Sequence, residues 1–397
     1  MRSSRLHHID ALRGSVMLLL VPYHGLLFLQ NRGDVLAGLD FSVFWLHLWR
    51  MGLFFAVSGF LAAMTLGLWG PTKQIRQRLI RIGIPLAVGM VTILPLQRMV
   101  VLWFVNHRNP GSANPNHAWT VENIFGWAPN HLWFLSYLLA LNLIALLVWM
   151  TVRRSPAIRD GLDRGFRALA SGKLLVPVLA ATCATTLWAG GFVEAPGIVA
   201  SSLIPHSSPL AYYAVFFLFG WMLFRSVDLL PRIEGQPWLK FGLGAGFSVL
   251  AWAFYKNHIV LPGSLPRAWV ISFTAGLASW LTLFGVWGLF ALFLSGARSW
   301  VRYLADSAYW VYLIHIPFLV AFQLALAGTD LHPLLRLCLA TAGALALAFL
   351  TYATLVRHTP IGWLLHGKRK RKGRNVAKPE TPADPPTPVP APAPDAT

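Results

Sequence analysis

The chain is poor in cysteine and in acidic residues. It has 2 cysteines and 14 aspartates and glutamates among 397 residues, against 33 lysines and arginines. Both cysteines, Cys183 and Cys338, fall inside predicted hydrophobic spans, which argues against a disulfide framework and against a cysteine-based metal site. No carboxylate falls at the middle of a predicted span, so paired acids for glycosidase-type chemistry inside the membrane are not available. No G-x-S-x-G motif indicates a serine hydrolase. We therefore expect no metal and no permanently bound cofactor.

Apolar residues dominate instead. The chain is 56% hydrophobic and 12% charged with a mean hydropathy of +0.57, which excludes a soluble globular protein and predicts an all-α polytopic membrane bundle. The first hydrophobic run has no small-residue cleavage site after it, so we expect it to remain as the first span. Hydropathy predicts about ten transmembrane helices, near residues 11–30, 43–69, 83–105, 131–152, 174–193, 210–225, 241–258, 268–294, 304–327 and 333–356.

The distribution of basic residues predicts the orientation. Lysines and arginines concentrate at 73–81, 153–173, 225–240 and 298–302, and they are sparse in the alternate loops. Cytoplasmic loops carry such an excess, so both termini are predicted to be cytoplasmic, as an even number of spans requires. The net charge of +19 is then mainly an orientation signal, and nucleic acid is not an expected partner.

The composition divides the chain into two parts. Residues 1–366 form the predicted membrane domain. Residues 367–397 begin with the basic cluster Lys368–Arg374 and continue as a proline- and alanine-rich run. Such a run cannot bury enough apolar surface to fold, which predicts a disordered cytoplasmic tail whose basic cluster lies on anionic lipid headgroups.

A histidine stands at mid-membrane depth in the first span. His24 occupies a position of Ala11–Gln30 where an apolar residue would cost less. Arg13 lies eleven positions earlier, so on an ideal helix the two side chains share a face within about 20° and stand roughly 16 Å apart along the axis. Asp10 lies near the same line and is expected to pair with Arg13. Polar groups from the helix end to the membrane interior favour chemistry at depth.

Four arginines near or within spans have two interpretations each. Arg78 and Arg81 are three positions apart at the inner membrane edge, where guanidinium groups suit phosphate oxygens, although arginines there also orient the chain. Arg50 and Arg98 fall in the outer parts of the second and third spans. They would bind an acidic substrate or leaving group, or else extend to the outer headgroups.

A second polar series lies near the end of the domain. Asp306, Tyr309, Tyr312 and His315 follow one another at intervals of three residues, so each contacts the next along a ridge that winds round the helix. They would line a substrate path. Alternatively, the tyrosines form an interfacial belt and His315 is a buried histidine bonded to a carbonyl.

Two further motifs lie in the second and fourth spans. His131 opens the fourth span at its outer end, and Trp133 and Phe134 beside it are interpreted as interfacial aromatics. Ser58 and Gly59 lie within the second span, where small residues favour close helix packing over a nucleophilic serine.

These motifs together resemble the signatures of the membrane acyltransferase-3 superfamily, in order and spacing over residues 8–318. Within the superfamily the chain is most similar to the subgroup that decorates periplasmic glucans with succinyl groups. This chain departs from the subgroup at one position. Its motif reads YLIHIP, and the resemblance would lead us to expect a second histidine in place of Ile316. The matching segments are His8–Gly14 with His24, Phe54–Phe60, Arg78–Pro85, His131–Leu135 and Ala308–Phe318.

The resemblance implies a multi-pass enzyme of the bacterial inner membrane. It would take an acyl group from a cytoplasmic acyl-CoA, succinyl-CoA in that subgroup, to a hydroxyl of an extracytoplasmic glycan. His24 matches the key first-span histidine and would act as general base or transient acyl carrier. Arg78 and Arg81 match the inner arginine motif and would hold coenzyme A phosphates. Residues expected to line or support the path are Asp10, Arg13, Arg50, Arg98, His131, Tyr309, Tyr312 and His315.

Two other function classes stay open at this point. A transporter or flippase for an acidic solute or a lipid-linked sugar would also bury histidine and arginine, but it would show broken helices in two corresponding halves. A scaffold that anchors glycan-synthesis proteins would leave the buried polar residues without a purpose. Membrane lipids and the glycan acceptor are the expected partners in the enzyme interpretation, and the sequence does not determine the oligomeric state.

Overall fold

The computed structural model describes residues 7–31, 38–108, 118–190, 202–256, 267–296 and 298–366. Within these ranges the chain forms helices and turns and no β-strand, which confirms the all-α prediction. The predicted tail, 367–397, lies outside the described residues.

The helices are numbered in chain order. The first half contains α1 His7–Leu18, α2 Leu20–Asn31, α3 Leu39–Trp69, α4 Pro71–Arg78, α5 Ile84–Val91, α6 Ile93–Arg108, α7 Val121–Phe125, α8 Trp133–Val152 and α9 Pro156–Ser171. The second half contains α10 Leu175–Ala189, α11 Ser207–Arg225, α12 Leu230–Glu234, α13 Pro237–Tyr255, α14 Arg267–Leu294, α15 Ser299–Leu326, α16 Pro333–Thr351 and α17 Pro360–His366. Wider π-helical turns occupy Leu79–Gly83 and Tyr352–Val356.

Eight stretches of the described chain are long and apolar enough to cross a membrane: His7–Gln30, Leu39–Trp69, Pro71–His107, Val121–Val152, Ser207–Arg225, Arg267–Leu294, Ser299–Leu326 and Pro333–Val356. A ninth results if α9 and α10, bent by 113° at their junction, count as one span. The predicted spans 174–193 and 241–258 correspond to α10 and α13. By length and composition the structure therefore supports eight or nine spans, and the sequence prediction was about ten.

Helix α3 lies at the centre of the bundle and is buried along most of its length. It packs against α11, while α14 packs against α10 and α13, and α15 packs against α1 and α16. The α3–α11 contact depends on glycine. A Cβ at Gly59 would collide with the carbonyl of Phe217, and one at Gly220 with the carbonyl of Ala56. Gly59 therefore has the packing role that the sequence predicted.

Candidate active site

Two cavities lie inside the bundle. The larger, about 370 Å³, is lined by polar residues that include Tyr23, His24, His47, Arg50, Gln97 and His131, and we call it the histidine cavity. The smaller, about 170 Å³, is lined by Arg13, Ser58, Arg78, Arg81 and Tyr309, and we call it the arginine cavity. Three side chains, Met17, Phe54 and Phe134, line both. The two cavities are therefore neighbours, separated by this apolar group.

The first span contributes one continuous stripe to both cavities. Arg13 and Met17 line the arginine cavity, and Met17, Leu20, His24 and Leu27 line the histidine cavity. These positions recur every three or four residues, as one helix face requires, although the helix is interrupted at Leu19. The prediction that Arg13 and His24 share a face is therefore confirmed.

The tautomer of His24 follows from the partners of His315. Nδ1 of His315 lies 2.7 Å from the carbonyl of Tyr312 and 3.1 Å from that of Val311, so this nitrogen carries the proton. In the neutral ring Nε2 is then an acceptor, and it lies 3.0 Å from Nδ1 of His24. His24 therefore donates from Nδ1, which leaves the lone pair of its Nε2 free to accept a proton. His315, fully buried, is a positioning residue for His24.

His131 is also held by a backbone carbonyl of α15, one that a proline leaves without its helical hydrogen bond. Pro317 stands inside α15 and has no N–H to donate to the carbonyl of Leu313 one turn earlier. Nε2 of His131 lies 3.1 Å from that carbonyl and donates to it. The Tyr312 hydroxyl donates to the backbone carbonyl of His131 at 2.8 Å. The ring of His315 lies 5.4 Å from that of His131 and 5.1 Å from that of His24, so this buried histidine contacts both of these cavity-lining histidines.

Arg50 is buried at the wall of the histidine cavity, against the ring of Tyr23. Only 2% of its surface is exposed, so it does not extend to headgroups, and that alternative is wrong. Its Cζ lies 3.8 Å from the ring centroid of Tyr23, within the range of a cation–π contact. The Tyr23 hydroxyl is 2.6 Å from Nδ1 of His47, which fixes the ring. Within the described part of the chain, Nε and Nη1 of Arg50 have no hydrogen-bond partner.

Arg98 has a supporting role. Its guanidinium donates to three backbone carbonyls, those of Ile124 at 3.1 Å, Gly126 at 2.6 Å and Ala128 at 2.8 Å. It thereby ties the segment that precedes His131 to α6. Arg98 lines neither cavity, so its predicted contact with an acidic substrate finds no support in the geometry.

The arginine cavity gathers three guanidinium groups. Arg78 donates to the Thr65 hydroxyl at 3.1 Å, which orients it from α3. Arg13 forms the expected ion pair with Asp10, at 3.8 Å. Arg81 completes the set. Three cations around so small a space suit an anion with several oxygens.

A second proline shapes this cavity. Pro85 has no N–H for the carbonyl of Arg81, and the Tyr309 hydroxyl donates to that carbonyl instead, at 2.7 Å. The helix widens into a π turn at Leu79–Gly83, where the N–H of Ile84 bonds to the carbonyl of Leu79. Such turns often occur at functional sites. Tyr309 is therefore tied to the turn that carries Arg81.

Several aromatic residues lie deeper than the sequence suggested. Trp133 and Phe134 are only 6% and 3% exposed, so the interfacial interpretation of both is wrong. Tyr312 is buried as well and belongs to no interfacial belt. They pack around the histidine cavity because α8 runs beside α3 and α11 in the middle of the bundle.

Four polar residues of the histidine cavity escaped the sequence analysis: Tyr23, His47, Gln97 and Asn130. His47 and Gln97 are polar groups inside predicted spans, so the rule that selected Arg50 and Arg98 would have selected them too. Tyr23 had no comparable signal, because a tyrosine in a span is most often an interfacial anchor.

The arrangement offers acid–base and anion-binding groups but no metal ligand set. In the ranges that the structure covers, no group of three histidine, cysteine, aspartate or glutamate side chains is placed to hold a metal ion. A neutral imidazole with a free lone pair can take a proton from a hydroxyl group. The neighbouring arginines can bind phosphates. This combination fits group transfer from a phosphate-bearing donor to an alcohol.

Comparison with known proteins agrees with this chemistry. The family model described as an acyltransferase domain, acyltransferase-3, matches residues 6–353. The chain is 23% identical over 390 residues to glucans biosynthesis protein C of Salmonella typhimurium (strain LT2), covering 93% of this chain and 97% of that protein. It is 22% identical over 381 residues to the protein of the same name from Salmonella heidelberg (strain SL476), covering 92% and 95%.

No solved structure matches the chain. The family match covers most of the membrane domain and includes both cavities. It decides between the enzyme and the transporter alternatives in favour of the enzyme. The protein belongs to the acyltransferase-3 family and is a multi-pass membrane acyltransferase.

Proposed function

We propose that the protein transfers an acyl group from a coenzyme A thioester in the arginine cavity to a hydroxyl of a glycan in the histidine cavity. The observation that carries the proposal is the pairing of a proton-accepting His24 with a neighbouring cluster of three arginines. The membrane topology that suits it has both termini in the cytoplasm and the arginine cavity open to that side.

The donor is held by charge. Coenzyme A carries several phosphate groups, and Arg13, Arg78 and Arg81 can bind their oxygens with charge-assisted hydrogen bonds. The pantetheine arm is slender and largely uncharged. It can extend between Met17, Phe54 and Phe134 and place the thioester beside His24.

At the acyl carbon one bond forms and one breaks, and one proton passes from the acceptor oxygen to the leaving sulfur. Nε2 of His24 accepts the proton of the acceptor hydroxyl as its oxygen attacks the thioester carbonyl. The new C–O ester bond forms, the C–S bond breaks, and the sulfur of coenzyme A leaves and receives the proton. His315 keeps the base oriented throughout, because its Nε2 accepts from Nδ1 of His24. The neutral imidazole suffices as the base, and the mechanism we propose is this direct attack without an acyl-histidine.

The names of the relatives support a finer proposal. Proteins named glucans biosynthesis protein C match nearly the whole chain, and with the resemblance seen in the sequence they support a periplasmic glucan as the acceptor, at the outer side of the bacterial inner membrane. The acyl group that the resemblance implies is succinyl, with succinyl-CoA as donor. Membrane lipids surround the bundle, and glycan-synthesis proteins are the partners that this role would require.

The test is acyl transfer by purified protein in proteoliposomes with a glucan acceptor, followed by mass spectrometry. We expect a mass increment on the glucan that identifies the acyl group. His24→Ala should abolish transfer while the protein inserts at its normal level, because it removes the base and a buried polar group together.

The matched control is His107→Ala, a surface histidine stacked on Trp103 away from both cavities, which should retain wild-type transfer. Near-normal transfer by His24→Ala would refute the catalytic assignment. Loss of inserted protein would indicate a structural histidine instead. Absence of any acylated product from wild-type protein would refute the proposed reaction.

A further inference from the structure

The histidine cavity contains a positive charge that the reaction as described does not use. The guanidinium of Arg50 is 2% exposed and lies at the wall of this cavity. Nε and Nη1 have no hydrogen-bond partner in the described chain. None of the ion pairs among the described residues includes Arg50.

A buried charge without a partner raises the free energy of the folded protein. Burying a guanidinium without an anion or hydrogen-bond acceptor is unfavourable, and no carboxylate among the described residues compensates for its lost hydration. The cation–π contact with Tyr23 offsets only part of that cost. The remaining N–H groups therefore call for an anionic ligand in the cavity.

The ligand must bring the negative charge with it. The coenzyme A phosphates are already accounted for by the arginines of the other cavity. The hydroxyl-bearing glucan acceptor is neutral. The remaining component is the acyl group itself, which carries a charge only if its far end is a carboxylate.

The geometry agrees with a short acyl chain. Tyr23 lies between the two functional groups, its ring centroid 5.3 Å from that of His24 and 3.8 Å from Cζ of Arg50. The guanidinium is thus one side chain away from the catalytic imidazole. An acyl group whose carbonyl is next to His24 would place its opposite end beside Arg50. The cavity, about 370 Å³, has the size of a small-molecule site.

We propose that Arg50 binds the terminal carboxylate of the transferred group and makes the enzyme selective for acyl groups derived from dicarboxylic acids. Tyr23 and His47 position the guanidinium for this contact. The inference rests on the proposed acyl transfer and adds the residue that selects the donor.

The experiment compares succinyl-CoA with butyryl-CoA, a neutral donor with the same number of acyl carbons, in proteoliposomes with a neutral glucan acceptor. The measured quantity is the ratio of kcat/KM for the two donors. We expect wild-type protein to prefer succinyl-CoA, and Arg50→Gln to reduce that preference by about 10- to 100-fold, the range for a lost charge-assisted hydrogen bond. Arg50→Lys, which keeps the charge, should retain part of it. Arg98→Gln serves as a matched arginine control and should leave the ratio unchanged.

The possible results separate the two proposals. Equal use of both donors by wild-type protein would overturn the role of Arg50 but leave acyl transfer standing. This comparison uses wild-type protein only, so it does not depend on the folding of any variant. Equal loss of both activities in Arg50→Gln would make Arg50 structural. In Arg50→Gln, a raised acceptor KM with an unchanged donor ratio would mean that Arg50 contacts the acceptor and not the acyl group, which also overturns the proposal. Transfer from neither donor would refute the proposed function itself.

Discussion

Replacing His315 tests the central geometric claim, that this residue sets the proton position on His24. In His315→Phe the Nδ1–H of His24 loses its acceptor at 3.0 Å and becomes an unpaired donor in a buried site. Such a donor costs about 1–3 kcal/mol. Because the reactive tautomer must keep its proton on Nδ1, that cost is added to the activation barrier. At about 1.4 kcal/mol per tenfold in rate, kcat should fall about 10- to 100-fold.

The assay is steady-state acyl transfer in proteoliposomes, with kcat and donor KM determined separately. Donor KM should stay close to wild type, because His315 does not line the arginine cavity. His315→Gln should recover part of the rate, since its side-chain carbonyl can accept from Nδ1 of His24. An unchanged kcat in His315→Phe, or a raised donor KM with normal kcat, would show that the tautomer argument is mistaken. Insertion and proteolytic resistance of each variant need to match wild type for the comparison to hold.

Two further outcomes follow from the same site. Replacing Arg78 or Arg81 by Gln should raise the apparent donor KM by about 10- to 100-fold with little change in acceptor KM. Each lost charge-assisted hydrogen bond costs roughly 1.5–3 kcal/mol of donor binding. An unchanged donor KM with altered topology would mean that these arginines only orient the chain. Truncation after Arg374 should leave insertion and glycan acylation intact, because the composition of the deleted proline-rich run predicts too little apolar surface for a core. Loss of acylation with normal insertion would reveal a partner recruited by the tail.

The sequence predicted correctly those features of the site that lie within a single helix. Arg13 and His24 could be placed on a common face because helical periodicity is a local property, and the structure has both on one cavity-lining stripe. Arg78 and Arg81 could be placed at one helix end for the same reason. Hydropathy located the long apolar helices, because about 20 apolar residues suffice to span the bilayer.

Contacts between distant segments could not be predicted. His131 donates to Leu313, 182 residues away, only because Pro317 leaves that carbonyl without its helical partner. Pro85 and Tyr309 show the same relation on the other side of the bundle. Each proline marks a free carbonyl in the sequence, but nothing local indicates which side chain will use it.

The predicted number of spans exceeds the number that the structure supports for a different reason. Helix α10 has 15 residues, a length of about 22 Å, which is less than the hydrocarbon thickness of a bilayer. Helix α13 is long enough but contains Lys240 and several glycines, which lower its hydropathy. A hydropathy reading of the sequence does not show where each helix ends. The structure gives the helix length, which can then be judged apart from the apolar composition.

The apolar group between the two cavities has a consequence for the living membrane. In the proposed reaction the donor is on one face of the membrane and the acceptor on the other, so the protein would enclose a route through an energised bilayer, and an open route would dissipate the proton gradient. Met17, Phe54 and Phe134 border both cavities, so a hydrated ion passing between them would have to shed its water against thioether and aromatic surfaces. A flexible pantetheine arm with its acyl group has no such penalty. In the proposed reaction the three side chains that admit the substrate would thus also insulate the membrane.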